Sequence, residues 1–141
     1  MKQFIIPLCI LLVGAGCKKD LLDIDSGICF SVNDLLDSRN ADVACGKAAD
    51  FEGKSLCLEG TLEEEADSGL SRKFFLRDAS QFIEFQVDSS IAAEVLALVK
   101  ANEGKSATVK GIMTGFDKPQ NLKCRRGFVQ HLSDMEDLEI Q

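Results

Sequence analysis

Glu52-Gly53-Lys54-Ser55-Leu56-Cys57-Leu58-Glu59-Gly60 is the stretch on which the fold turns. From Gly53 onward Leu56, Leu58, Gly60 and Leu62 alternate with Cys57, Glu59 and Thr61, the period of a strand with one buried face. The signature recurs as Glu103-Gly104-Lys105-Ser106, with Gly111 in the place of Gly60, at a spacing of 51 residues. Two copies do not make a solenoid. They describe two strands entered by similar turns, each carrying a glycine where a barrel strand must bend sharply.

Outward from this stretch the patterns continue. Arg72 to Arg77 and Phe82 to Asp88 form a hairpin if Ala79-Ser80 is its two-residue turn. Leu76 then faces Ile83 and Phe74 faces Phe85 on the inner side. On the outer side Arg77 faces Phe82, Phe75 faces Glu84 and Lys73 faces Gln86. A one-residue slip would expose Phe74, Leu76 and Ile83, so the alternation selects this register. Ile91, Val95, Leu98 and Val99 share one helical face, with Ser89 or Ser90 as the expected cap and Gly104 just past the end. Ala107 to Met113 and Gly127 to Leu132 read as strands. The stretches from Glu63 to Ser71 and from Gly115 to Lys123 read as loops. Upstream, Ser31 with Asp34 predicts a short helix near 32–39, followed by loop to Phe51.

Five strands with a helix between the third and fourth resemble the OB-fold superfamily, including the tRNA anticodon-binding-like domains and small exported bacterial OB-fold proteins. The resemblance covers about Gly53 to Leu132. It implies an all-β, five-stranded OB-fold-like Greek-key barrel (about 53–132) within a domain spanning 28–141, preceded by a short N-terminal helix. A different small barrel or an α+β sandwich is the competing architecture.

In an OB-fold the exterior of strands two and three and the loop between strands four and five bind ligands. That places the candidate surface at Lys73, Phe75, Arg77 and Phe82, with Lys118, Lys123, Arg125 and Arg126 from the loop. Phe75 and Phe82 are expected to stand outward as a stacking platform beside these cations. The alternative is that residues 28–51 fold over it, giving those rings a structural role. The resemblance thus implies a binding module for a small ligand, an oligosaccharide or a protein; the alternative is an accessory interaction subunit of an envelope complex.

The run from Met1 to Gly16 has one lysine, an apolar stretch and then Gly14-Ala15-Gly16 before Cys17. It is built like a secretory signal, and its end resembles the bacterial lipoprotein box. On that resemblance residues 1–16 are cleaved, Cys17 carries the lipid, and 17–27 form a polar tether lifting the domain off the membrane. An ordinary cleaved signal or an uncleaved anchor are the alternatives. The expected location is the cell envelope, on the outer membrane if Lys18 follows the enteric sorting rule. About 124 residues remain beyond Cys17, enough for one domain.

Loss of Lys2 with the signal would take the net charge from −7 to about −8. An acidic surface repels phosphate backbones, which disfavours nucleic acid as partner. Cys29, Cys45, Cys57 and Cys124 remain in an oxidising setting, where an even number points to disulfides. Three connectivities are open. The expected one joins Cys29 to Cys45, which flank the short helix, and Cys57 to Cys124. A zinc site with His131 has no Cys-x-x-Cys spacing behind it. Gly53-Lys54-Ser55 and Gly104-Lys105-Ser106 lack the preceding glycine of a phosphate loop. His131-Leu132-Ser133-Asp134-Met135 has methionine where haem-chaperone OB-folds carry tyrosine. No cofactor, metal or catalytic constellation is expected, and the chain reads as non-enzymatic.

Overall fold

Leu56, Leu58 and Leu62, the leucines that set the alternation, all reach one core. The structure is a computed structural model and describes residues 19–66, 72–120 and 123–141. Cys17 and its leader lie outside the described residues. Among the described residues seven strands form the sheet: β1 Cys29–Ser31, β2 Ser55–Ala66, β3 Arg72–Asp78, β4 Gln81–Val87, β5 Ser106–Gln120, β6 Lys123–Leu132 and β7 Leu138–Ile140. Among the same residues two α-helices accompany them, α1 Val32–Asp37 and α2 Ala92–Asn102.

The order β2-β3-β4-β6-β5 closes because β5 also pairs with β2. β4 and β6 run parallel, while the other four barrel seams are antiparallel. With α2 between β4 and β5, this is the path expected of the OB barrel. β1 and β7 are additions, on the outer edges of β2 and β5. Phe74, Leu76, Ile83, Phe85 and Val109 join the leucines inside. The hairpin has the register read from its alternation, Phe74 with Phe85 and Leu76 with Ile83. Ala79 takes φ 50° in its turn.

The sequence echo is a structural pseudo-two-fold. Gly53 and Gly104 take φ of 81° and 80°, a conformation that glycine adopts at no steric cost. The Gly53 amide donates to Met113 and the Met113 amide to Lys54; the Gly104 amide donates to Leu62 and the Leu62 amide to Lys105. Gly60 and Gly111 are approached by the backbone carbonyls of Arg77 and His131, where a Cβ would collide. Inside the closed seam Gln130 is fully buried and donates from Nε2 to the Leu56 and Val109 carbonyls, both at 2.9 Å.

Five expectations change. The stretch expected as a loop over Gly115–Lys123 belongs mostly to a long β5–β6 ribbon, paired as far as Gln120 with Lys123. Pro119 is tolerated there because the ribbon offers it an unpaired edge. Glu63 to Ala66 extend β2, since β3 supplies opposite charges: Lys73 is paired with Glu65, and Arg77 bonds Glu63 at 2.7 Å. α2 begins after Ile91, with no capping hydrogen bond from Ser89 or Ser90; the Ile91 amide bonds Asp88 instead. The Ser31 cap of α1 forms as expected, accepting from the Asp34 amide at 3.0 Å.

The disulfides are the fourth change. Cys29 is bonded to Cys57 and Cys45 to Cys124. The parallel β1–β2 pairing sets Cys29 directly beside Cys57, with Cα atoms 4.4 Å apart. Cys45 is thereby left for the β5–β6 ribbon. The segment expected as a tether also lies against the domain. The Arg39 amide bonds the Asp20 carbonyl at 2.9 Å, Asn40 exchanges hydrogen bonds with Leu22, and Ile24 enters the core. Among the described residues no helix is long and apolar enough to cross a membrane.

Candidate functional site

Residues of β4 that alternate away from the core fix the centre of the site. Phe82 stands on the outer face of the barrel and is 50% exposed. Arg77, its cross-strand partner, places its guanidinium carbon 4.9 Å from the ring centroid. The same guanidinium bonds both Glu63 carboxylate oxygens, at 2.7 and 2.8 Å, which fixes it over the ring. Phe75 meets Phe82 edge to face at 5.4 Å. Phe75 is only 9% exposed, however, and sits in register between Glu63 and Glu84. The expected pair of open rings is therefore one open ring backed by a covered one.

Two depressions meet at Phe82. The smaller, about 270 Å³, is lined by Glu63, Glu64, Glu65, Phe75 and Arg77 as well. The larger, about 610 Å³, lies between the N-terminal segment and the β5–β6 ribbon. Leu36, Val43, Phe82 and Phe128 give it an apolar wall; Lys19, Lys118, Arg125 and Arg126 give it positive charge, against the single acid Asp42. In a chain of net charge −7 this is a local inversion of sign.

The wall formed by the β5–β6 ribbon is strapped in place. Arg126 makes a two-pronged bond to Glu52, both contacts at 2.7 Å, and a further bond to Asp117 at 2.8 Å. The Gly46 amide also donates to Asp117, and the Cys45–Cys124 disulfide runs alongside. Arg126 and Glu52 are both mostly buried, and the guanidinium holds the Glu52 carboxyl below the usual carboxylate range. Asp117 is lowered by Arg126 first and then by the Gly46 amide, and Arg126 is itself raised, chiefly by Glu52. Arg126 thus serves to hold the strap. Cys45, Cys124 and Asp117 bring possible metal-ligand atoms within 4.8 Å of one another. The two sulfurs are joined to each other, which removes both thiolates from ligation.

Of the residues singled out from sequence, Phe82, Lys118, Arg125 and Arg126 share the large cleft, and Phe75, Arg77 and Phe82 share the small one. Lys73 is exposed on β3 and lines neither. The Lys123 side chain lies outside the described residues. Phe116 escaped the sequence reading. It is 40% exposed, carries Lys118 at 5.2 Å from its ring centroid, and lies across Gly127, where a Cβ would meet the ring. The alternation Ile112, Thr114, Phe116, Lys118 is the signal that would have found it.

Among solved structures, the chain superposes on a protein assigned as an aspartyl-tRNA synthetase from Leishmania major Friedlin, with TM-score 0.50 and 12% identity. The match covers 82% of this chain and 21% of that one. The domain has the OB-fold. An aspartyl-tRNA synthetase from Entamoeba histolytica gives TM-score 0.46 at 14% identity, over 64% of this chain and 19% of that one. A Plasmodium falciparum SSB in complex with ssDNA gives 0.41 at 14% identity, over 62% and 93%. At such identities the likeness is one of fold alone, and this chain spans about a fifth of either synthetase. No protein-family model and no curated protein matches the sequence.

Proposed function

We propose that this chain is a lipid-anchored envelope protein whose OB domain is a non-enzymatic binding module, with Phe82 at the centre of its ligand surface. The carrying observation is that residues 28–51 leave Phe82 half open and form one wall of a cleft beside it, rather than folding over the ring. A cleft of this volume falls in the range of about 300–1,000 Å³ that suits small ligands. Attachment through Cys17 and residence at the outer membrane rest on the leader sequence alone.

The test places a photoreactive phenylalanine analogue at position 82 in cells and compares it with the same analogue at exposed Lys110. A low-molecular-mass adduct confined to position 82 supports the module. A stoichiometric protein adduct there converts the reading to an accessory subunit. Cys17→Ser should move the protein from the membrane to the soluble fraction, and its retention on membranes would refute the anchor.

A further inference from the structure

Lys118 and Arg125 are directly opposite one another in the β5–β6 register, so both side chains rise from the same face. Like charges so placed repel and destabilise the pair. Both line the large cleft and both are exposed. Among the described residues neither has a hydrogen bond or ion pair to a carboxylate; Lys118 has only the Phe116 ring. The chain does not lack acids, with 23 Asp and Glu against 16 Lys and Arg. Of the nearby carboxylates, Glu52 and Asp117 are spent on Arg126, and Asp42, the one acid lining the cleft, bonds neither Lys118 nor Arg125. A local conflict left unrelieved in an acidic protein is the kind of departure that binding sites show.

Resting on the cleft as a ligand site, we propose that it binds a small organic anion. A carboxylate or phosphate group sits between Lys118 and Arg125, and an apolar body lies against Phe82 and Val43. The planar guanidinium of Arg125 matches the oxygens of either group. A neutral ligand of the same shape would leave the two cations repelling one another; an anion removes that repulsion and is held by both. Lys19 on the rim adds a third positive charge.

Four probes decide it: phenyl phosphate, benzoate, benzyl alcohol and inorganic phosphate, each titrated into the ¹⁵N-labelled full chain with amide shifts read by NMR. At least one aromatic anion should shift Phe82, Lys118 and Arg125 together and bind at least tenfold more tightly than benzyl alcohol. The tighter of the two identifies the anionic group as phosphate or carboxylate, and inorganic phosphate alone should bind more weakly than phenyl phosphate. Lys118→Glu creates an opposite-charge pair with Arg125. It should raise the melting temperature while weakening the anion at least tenfold, a combination that a merely structural lysine would not give. Equal binding of benzyl alcohol and both anions, unchanged in Lys118→Glu, overturns the anion inference and leaves the binding module standing. Silence of the cleft to all four probes also overturns it, whereas the module is judged separately by the crosslink at position 82.

Discussion

Replacing Cys45 and Cys124 together by Ala removes the cross-link that closes the longer loop. The separations are 79 residues for Cys45–Cys124 and 28 for Cys29–Cys57. The chain-entropy relation, about 2.1 + 1.5R ln n cal/mol/K, gives about 4.5 kcal/mol at 25 °C for the first and about 3.6 kcal/mol for the second. With a urea m-value of about 1.5–2 kcal/mol/M, the unfolding midpoint should fall by about 2–3 M and about 2 M respectively. The assay is urea denaturation of the parent and both double-Ala variants under non-reducing conditions. The variants should also part company in function. Cys124 lines the large cleft and Cys45 ties the segment forming its far wall, so only their removal should loosen the cleft and weaken an anionic probe. A smaller loss of stability for the longer loop refutes the loop argument. A non-reducing peptide map that links Cys29 to Cys45 refutes the topology itself.

The carboxyls of Glu52 and Asp117 are lowered in the folded state, so the stability they lend is present above the unfolded carboxylate range, about pH 4, and is lost as pH falls through the folded values. Arg126→Met should flatten this acid limb in urea midpoints taken from pH 7 to pH 2; an unchanged slope would remove Arg126 as the cause. Gln130→Leu loses two hydrogen bonds inside the barrel, worth about 2 kcal/mol together, read as a lowered urea midpoint. Gln130→Glu should be worse at pH 7 than at pH 4, because an ionised carboxylate cannot donate to those carbonyls. Gly111→Ala presses a methyl against the His131 carbonyl and should cost about 1–3 kcal/mol, with faster hydrogen exchange along β6.

The barrel was legible because its signals are local and doubled. Phe74, Leu76, Ile83 and Phe85 share one face of the hairpin, so a one-residue slip would turn apolar side chains outward, and the Glu-Gly-Lys-Ser echo announces two strands entered and bent alike. The disulfides were not legible, since β1 is three residues long and its pairing with β2 is a long-range contact with no periodicity to reveal it. The ribbon was hidden by its polar end, where Asp117, Lys118 and Pro119 read as a turn although the pairing runs through them. Phe75 and Phe82 alternate identically in sequence. Only the third strand, which sets Glu63 beside Phe75, covers one ring and leaves the other open. Arg125 and Arg126 were legible as a basic cluster and both line the cleft, but adjacent residues on a strand face opposite ways, so only Arg126 reaches Glu52 and Asp117 to hold the strap.

The anchoring of Asp20 to Arg39 bears on reach. If Cys17 is acylated as proposed, three peptide steps separate the lipid from the first pinned residue, a leash of at most about 11 Å. On so short a leash the protein can swivel but cannot stray. Lys19, on the rim of the cleft, would ride within the headgroup layer, and any ligand would have to be met at the bilayer surface rather than fetched from a distance.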